Sequence, residues 1–306
     1  NTGADYYFAK NPGYGAVFTY HLSNDYKTQK LLRQEKERKL NKAKKDIPFP
    51  GWDKLDVEKQ EIPAQVILTI EDKDGNIINK IKQNASKGSH RIAWDLQHYN
   101  PFAISMSGRS GYGGGALVTP GTYKASLHLE EDGKILKLDG PLSFEVKPIR
   151  KGILKGASYP EYNEFRVELT ELIIEISKVE DQFTQSKKKY NALQNSLQRS
   201  SIAPGVLEPK LRELKAAITS TDQMMNGSSS RSEIGERNPS GIQNYLYGAF
   251  SGMDNSYGPT GLHKKSLSTA KSMLVKAKEL VSRITNSMIP PIEKELKEAG
   301  APYIAN

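Results

Sequence analysis

Apolar and polar positions alternate through the middle of the chain, between residues 64 and 148. Such a period of two is typical of strands that bury one face. Turn sequences, such as residues 72–76, separate the alternating runs. About six short strands with no helical stretch between them predict an antiparallel β-sandwich of about 85 residues. The apolar positions that mark the runs are Val66, Leu68 and Ile70, then Ile77, Ile78 and Ile81, then His90, Ile92, Trp94 and Leu96, then Tyr123, Ala125, Leu127 and Leu129, then Leu142, Phe144 and Val146.

The period changes beyond residue 160, where apolar residues step alternately by four and by three. Three such heptad seams, each of which must be buried, predict an antiparallel helical bundle of about 140 residues. Pro290 and Pro291 are expected to break the third helix, with a short final helix after them. The seams run from Phe165 to Leu197, from Leu207 to Met225 and from Leu267 to Met288, and Ser186 is the polar member of the first.

The N-terminal region combines a strand-like run over 16–21 with a highly charged helical stretch over 25–45. Residues 47–52 carry two prolines and a glycine and are predicted to be a linker whose aromatic side chains dock on a neighbour. The predicted domains are therefore 1–52, the sandwich at 53–150, and a three-helix bundle at 151–306 with an irregular insertion at 226–261.

Aromatic residues concentrate in that insertion, at Tyr245, Tyr247, Phe250 and Tyr257, among several glycines. Tyrosine rings offer stacking area with a polar tip, so these residues are candidate contacts for a protein partner or a glycan. The same residues could instead form a satellite core that covers the end of the bundle. Both interpretations stay open.

Composition narrows the function classes. The 306 residues include no cysteine, which excludes disulfides, thiol catalysis, iron–sulfur clusters and Cys-based zinc sites. No stretch reaches the roughly 18 apolar residues that span a bilayer, so no transmembrane segment is expected. The chain starts at Asn1 without Met or an apolar leader, and we expect a processed product or a piece of something longer.

Most of the net charge of +9 lies in one tract, residues 27–45, which holds nine Lys and Arg residues against Glu35 and Glu37. Such a tract can contact nucleic acid or lipid phosphate. It has few apolar anchors and no aromatic residue after Tyr26, so a solvated helix face is the favoured interpretation. No nucleic-acid partner is expected.

Motifs for metal binding are weak. The five histidines do not pair at ligand spacing; they are His21, His90, His98, His128 and His263. Asp72 and Asp74 resemble the opening of a calcium loop, but Gly75 comes too early and no Glu closes the loop at the twelfth position. A turn is the favoured interpretation there, and no metal is expected.

Motifs for catalysis are equally weak. Residues 108–112 lack the second glycine of a nucleophile elbow, and the G-x-G-x-x-A pattern at 111–116 leads into a turn and a strand instead of a helix. Asp95 and Asp132 are candidate carboxylates for glycoside hydrolysis, yet a sandwich of this size rarely has the cleft that such a pair requires. We expect no catalytic residue and no cofactor.

Three segments of the β region resemble the Ig-like domain of flagellar hook-capping proteins: LTIEDKDGNIINKI, KGSHRIAWDL and TPGTYKASL. The resemblance implies an Ig-like sandwich in which the Trp is a core residue and the Pro-Gly pair forms a turn. None of the matching positions would then be catalytic. They are Asp72, Gly75, Gly88, Trp94, Asp95, Pro120, Gly121, Thr122 and Tyr123.

The larger arrangement is similar to the C-terminal part of sortilin-type β-propeller proteins of Bacteroidetes, often labelled glycosyl-hydrolase-like. The similarity is carried by NPGYGAVFTYHL, PFPGW and the ending LKEAGAPYIAN, together with the Ig-like stretch. It implies a propeller before this region and an exported protein. No residue of this chain supports the hydrolase label.

These observations predict a non-catalytic, exported interaction or scaffold module of a larger propeller-containing protein of the cell envelope. Residues 1–52 would dock on a β-propeller domain or another protein chain, and the bundle would contact protein or glycan. The expected location is the periplasm, the outer membrane or the cell surface. The alternatives are part of a glycan- or peptide-degrading enzyme and a subunit of a cell-envelope secretion assembly.

Overall fold

The computed structural model describes residues 11, 13–104, 106, 114–149, 155–255 and 257–304. Its contacts divide the chain into two units. The first is Asn1–Tyr99 with Gly114–Arg150, and the second is Asn100–Gly113 with Lys151–Asn306. The protein mixes α-helices with antiparallel sheets, in agreement with the mixed, multidomain class predicted from the sequence. The domain boundaries at 52 and 150 stay a prediction.

Two antiparallel sheets make up the centre of the first unit. The smaller pairs β1 with β4, and the larger has the order β3-β2-β5-β6. The strand bounds are β1 Ala16–Leu22, β2 Gln65–Glu71, β3 Ile77–Asn84, β4 Gly88–Trp94, β5 Gly121–Glu131 and β6 Lys134–Val146.

Residues of both sheets share one hydrophobic cluster. Trp94 lies in it with no exposed surface, and its ring contacts those of Tyr123 at 5.6 Å and Phe144 at 6.1 Å. The Trp94 indole N–H donates to the carbonyl of Gln97 at 2.9 Å, which satisfies its polar atom. Most of the alternating positions fill this cluster, but Ile77 and Leu142 are exposed and Ile78 is buried in it.

Two helices lie between β1 and β2, α1 over Gln29–Lys42 and α2 over Trp52–Gln60. The Thr28 hydroxyl caps α1 by accepting from the Leu31 N–H at 3.3 Å. α2 starts at Trp52, the last residue of the segment that the sequence predicts to be a linker. α2 buries no residue, and its sequence lacks the repeat of apolar positions from which the other helices can be predicted.

The second unit is helical. Its helices are α3 Tyr159–Leu197, α4 Glu208–Asn226, α5 Ser229–Glu233, α6 Ile242–Phe250, α7 Gly261–Arg283 and α8 Ile289–Glu298. The heptad positions read from the sequence are the buried faces of α3, α4 and α7. α3 begins with a capping box between Ser158 and Glu161. Among the described residues, no helix is both long and apolar enough to cross a membrane.

A ladder of ion pairs joins α3 to α7. Lys264 pairs with Glu161, Lys271 with Glu168 at 2.6 Å, and Lys278 with Glu175 at 2.6 Å. Both partners advance by seven residues from one rung to the next, so the two helices run in the same direction with matched heptads.

α7 continues into α8 through a π-helical turn over Ile284–Met288. Pro290 and Pro291 lie in the first turn of α8, where a missing backbone N–H breaks no helical hydrogen bond. The predicted break between these helices is therefore a change of helical winding.

The segment expected to be irregular contains α6. Its buried residues Ile242, Leu246 and Ala249 are spaced as one helical face, although aromatic residues dominate the sequence of this segment.

Candidate functional site

α1 and α2, with the connecting residues 43–51, form a helical hairpin, which we call the α1–α2 hairpin. The Arg33 guanidinium donates from Nε and Nη2 to the two carboxylate oxygens of Glu58, at 2.7 Å and 2.8 Å. Arg33 Nη1 also donates to Glu37 at 2.7 Å. The backbone N–H of Gln29 donates to the Glu61 carboxylate at 2.7 Å. These contacts place the start of α1 beside the end of α2, so the helices are antiparallel.

The Arg33–Glu58 contact is the clasp of the hairpin. The hydrogen bonds from Arg33 hold the pKa of Glu58 below its ordinary value, and those from Glu58 and Glu37 raise the pKa of Arg33. A two-pronged guanidinium–carboxylate contact is among the stronger and more directional hydrogen-bonded pairs in proteins. The clasp thus sets the pairing of helices that make little apolar contact with each other.

A groove of about 800 Å³ runs along the hairpin between the two helices. Its apolar lining consists of Leu32, Leu40, Pro48, Phe49, Pro50 and Val57. Charged side chains line it as well, the basic Arg33, Lys36 and Lys54 and the acidic Glu37, Asp53 and Glu58. A concave surface that combines apolar with a few polar side chains is the usual form of a binding groove.

The apolar side chains of the hairpin face solvent. Neither α1 nor α2 contains a buried residue. Phe49 is 61% exposed, Trp52 73% and Val57 62%, and the rings of Phe49 and Trp52 meet edge to face at 4.9 Å. A contiguous exposed apolar patch on a folded protein marks an interaction surface.

The charge on the hairpin is unevenly compensated. In the part of the chain that the structure describes, Lys36, Lys39, Lys54 and Arg38 form no ion pair, whereas the acidic Glu37 and Glu58 are both taken up by Arg33. Lys27 is paired with Asp25 and Glu35. Residues 27–61 together hold eleven Lys and Arg against seven Asp and Glu, so the hairpin has a net positive charge. The charged side chains that line the groove are three basic and three acidic, so the excess of positive charge lies outside the groove.

The aromatic residues proposed as partner or glycan contacts lie on α6 and just after it. Tyr247 is 74% exposed and Tyr257 40%, while Tyr245 and Phe250 are half-buried. Phe250 contacts the ring of Phe102 at 5.8 Å, and no ring contact joins these four described residues to one another. The carbonyl of Tyr257 accepts from the Ala157 N–H at 2.7 Å, which ties its backbone down.

The acidic turn at residues 72–76 is closed by hydrogen bonds. One Asp72 carboxylate oxygen accepts from the backbone N–H of Asp74 at 2.9 Å and of Asn76 at 2.8 Å. Burial alone would raise the pKa of Asp72, but the hydrogen bonds from Asn76 and Asp74 together lower it. Gly75 has a φ of 85°, which suits glycine in a tight turn.

The other candidates from the sequence are dispersed. Asp95 follows β4 and accepts from the Gln97 N–H at 3.2 Å, and Asp132 lies in the turn between β5 and β6. The His263 imidazole accepts from the Thr260 N–H at 3.0 Å and so caps α7. No group of three His, Asp or Glu side chains suited to a metal occurs among the described residues. Residues 108–113 lie outside them.

Comparison with known proteins found no matching family and no matching curated protein. Among solved structures, the chain is similar to the flagellar hook-capping protein FlgD of P. aeruginosa, at 25% sequence identity. The aligned part covers 25% of this chain and about half, 51%, of that protein, with a TM-score of 0.18. A TM-score this low assigns neither fold nor function to the chain.

Proposed function

We propose that the chain is a non-catalytic interaction module that docks on a partner protein through its N-terminal region. The observation that carries the proposal is the α1–α2 hairpin, whose apolar side chains line a groove and stay exposed. A hairpin that buries none of its residues gains little hydrophobic stabilisation from its own chain. Covering the groove with a partner would supply that burial.

The rest of the chain would act as scaffold. We propose that the two sheets of the first unit are an Ig-like sandwich, because residues of both share one cluster around Trp94. We propose likewise that the second unit is an antiparallel bundle built on the buried heptad faces of α3, α4 and α7. The exposed Tyr247 and Tyr257 offer a second contact surface, for protein or glycan.

The resemblance to sortilin-type proteins supplies the proposed setting. In that setting the partner at the hairpin is a β-propeller domain or another chain of the same envelope or secreted assembly. The protein would then be exported and act in the periplasm, at the outer membrane or at the cell surface.

Site-specific photo-crosslinking in the cells that make the protein tests the docking surface. A photoreactive phenylalanine analogue replaces Phe49 or Val57 on the hairpin, and Val275 on α7 serves as a similarly exposed apolar control. We expect defined cross-linked products from the two hairpin positions and a weaker, diffuse signal from Val275. Equal signals from all three positions would contradict docking at the hairpin.

A structural subunit of an envelope assembly is a second candidate, favoured by β6. This strand is at the edge of the larger sheet, and it exposes Ile135, Leu136 and Leu142. An exposed apolar edge strand is a template on which another chain can pair. If this candidate holds, the same analogue placed at Ile135 also gives a discrete cross-linked product.

A further inference from the structure

The positive charge of the α1–α2 hairpin is concentrated at the end where its two helices are joined. We call this end the tip and define it as residues 38–47 together with Trp52. We infer that the tip binds a membrane surface that contains anionic lipid. None of the charged side chains of the tip lines the groove, so this inference goes beyond the proposed docking on a partner protein.

The tip lies at the end of the hairpin that is remote from the sheets. The hydrogen bond from the Gln29 N–H to Glu61 marks the base of the hairpin, where the chain enters from β1 and leaves for β2. α1 has 14 residues and so extends about 21 Å from that base. Residues 29–60, all of which the structure describes, contribute nothing to the hydrophobic cluster that the two sheets share. The sheets of the first unit therefore do not cover the tip.

The charge of the tip is strongly one-sided. Its one acid is Asp46, and its basic residues are Arg38, Lys39, Lys42, Lys44 and Lys45. All six side chains are exposed, and none of them forms an ion pair within the described part of the chain. Lys39 and Lys42 lie in the last turn of α1, where the helix dipole favours a positive charge, but Lys44 and Lys45 lie beyond the helix. Clusters of about four to eight basic residues are typical of segments that bind anionic lipid.

Exposed apolar side chains accompany this charge. Ile47 is 47% exposed and Trp52 73%, and the Trp52 ring contacts the ring of Phe49 edge to face at 4.9 Å. Apolar side chains beside basic residues enter the boundary between lipid headgroups and acyl chains, where tryptophan is enriched. The tip therefore offers an electrostatic and an apolar contact to the same membrane surface.

The distribution of charge favours lipid over a nucleic acid. Proteins that bind single strands combine aromatic residues with a positively charged groove that follows the phosphate backbone. In the hairpin the charged side chains that line the groove are balanced, and the unpaired basic residues lie outside it. The aliphatic Ile47 also offers no ring on which a base can stack. A nucleic acid is the alternative that the experiment separates.

The backbone at the end of α1 provides a variant that removes charge without loss of stability. Lys44 has a φ of 53°, and its N–H donates to the Asn41 carbonyl at 3.0 Å, while the Lys45 N–H donates to the Leu40 carbonyl at 3.0 Å. This is a Schellman motif, in which the left-handed position usually holds glycine. Lys44→Gly should therefore leave the hairpin as stable or more stable. Weaker membrane binding of this variant is then an effect of charge and not of unfolding.

The test measures binding of the full chain to sedimented vesicles of two compositions. One is phosphatidylcholine alone, and the other contains phosphatidylcholine and phosphatidylglycerol in equal amounts. Of the two tryptophans, Trp94 is fully buried, so quenching by lipids that are brominated on their acyl chains reports on Trp52. We expect binding to the anionic vesicles to be at least about tenfold tighter than to the neutral ones, and to be lost at about 1 M NaCl. Trp52 should be quenched when the anionic vesicles bind.

Variants of the tip assign the binding to its residues. Lys44→Gly should weaken binding to the anionic vesicles about fivefold, and the double variant Lys44→Gln, Lys45→Gln about twentyfold. Lys265→Gln, Lys276→Gln on α7 is the matched control, because it removes the same charge from exposed lysines elsewhere and should leave the affinity unchanged.

Three outcomes would overturn the inference. The first is equal affinity for the two vesicle compositions, or no binding to either. The second is binding to a single-stranded oligonucleotide as tightly as to the anionic vesicles without quenching of Trp52, which would make the tip a contact for polyanions. The third is an equal loss in the tip and α7 variants, which would assign the binding to the net charge of the chain. Cross-linking from Val57 in the groove decides separately whether the hairpin docks on a protein.

Discussion

α1 and α3 are both rich in charged residues, yet they differ in how many of their apolar side chains are buried. α3 buries a continuous heptad stripe that includes Ile176, Phe183 and Leu193. α1 buries nothing, and its Leu32 is 46% exposed. α3 is paired with α7 by matched heptads, whereas α1 is held to α2 chiefly through the Arg33–Glu58 clasp.

Two helices of similar charge content therefore differ in what stabilises them. Burial of apolar area is the dominant source of stability, so α3 belongs to the stable core of its unit. Elements with few buried apolar contacts open at lower free energy than the whole domain does. The α1–α2 hairpin is therefore expected to be the more easily opened region and the one that a partner can stabilise.

Removing core volume should have the largest effect. Phe183→Ala empties a site that is 1% exposed and should lower the free energy of unfolding by about 3–5 kcal/mol. Trp52→Ala removes a larger ring that is 73% exposed and should change it by less than about 0.5 kcal/mol. Urea unfolding followed by far-ultraviolet circular dichroism measures both. Similar losses of unfolding free energy in the two variants would contradict the difference in burial between α3 and the hairpin.

Breaking the clasp should act locally. Arg33→Gln should speed amide hydrogen exchange across residues 29–60 by about tenfold, because α2 loses its main contact with α1. Exchange in α3 should not change. Arg38→Gln on the same helix is the control, since Arg38 forms no ion pair among the described residues. Unchanged exchange in Arg33→Gln would show that other contacts hold the hairpin.

The clasp also predicts a pH dependence. The pKa of Glu58 lies below its ordinary value of 4.5, so the clasp stabilises the hairpin above that pH. The stabilisation is lost as the pH falls through the lower folded-state pKa. Exchange in residues 29–60 of the unmodified protein, corrected for intrinsic rates, should therefore be faster at about pH 3 than at about pH 6. Equal protection at both would contradict this role.

The ladder between α3 and α7 should matter least. The triple variant Lys264→Gln, Lys271→Gln, Lys278→Gln should lower Tm by a few degrees at most, because its ion pairs are partly exposed. The difference should vanish at about 1 M NaCl, where charges are screened within about 3 Å. Hydrogen bonds from Lys178 and Lys278 lower the pKa of Glu175 to about 2. The rung at Glu175 should therefore persist at moderately acidic pH. A large Tm loss that survives high salt would show that these lysines do more than pair charges.

The regular elements with strong apolar periods could be predicted from the sequence. The alternation around Trp94 and the heptads of α3 identify buried faces because strands and long helices repeat with fixed periods. α2 and α6 could not be predicted in the same way. α2 buries nothing, and the short face of α6 shows only three buried positions, so neither carries a long periodic signal.

The candidate site was only partly predictable. The basic tract can be located from residue types alone, and the docking role of the N-terminal region is a proposal. The groove cannot be located in this way, because Leu40 and Val57 become neighbours of one cavity only when Arg33 meets Glu58, 25 residues further along the chain. Ring contacts such as Phe250 with Phe102 have the same origin, since both residues are far apart in sequence.

Local chemistry in the sequence therefore determined where the strands, the heptad faces and the positive charge lie. The apolar period and the composition are properties of short segments of the chain, so they do not depend on contacts between distant residues. Tertiary structure alone decided which apolar residues stay exposed and which lysines stay unpaired. Both depend on contacts between distant segments. The contact between Arg33 of α1 and Glu58 of α2 is the one that pairs two charged helices and forms the groove between them.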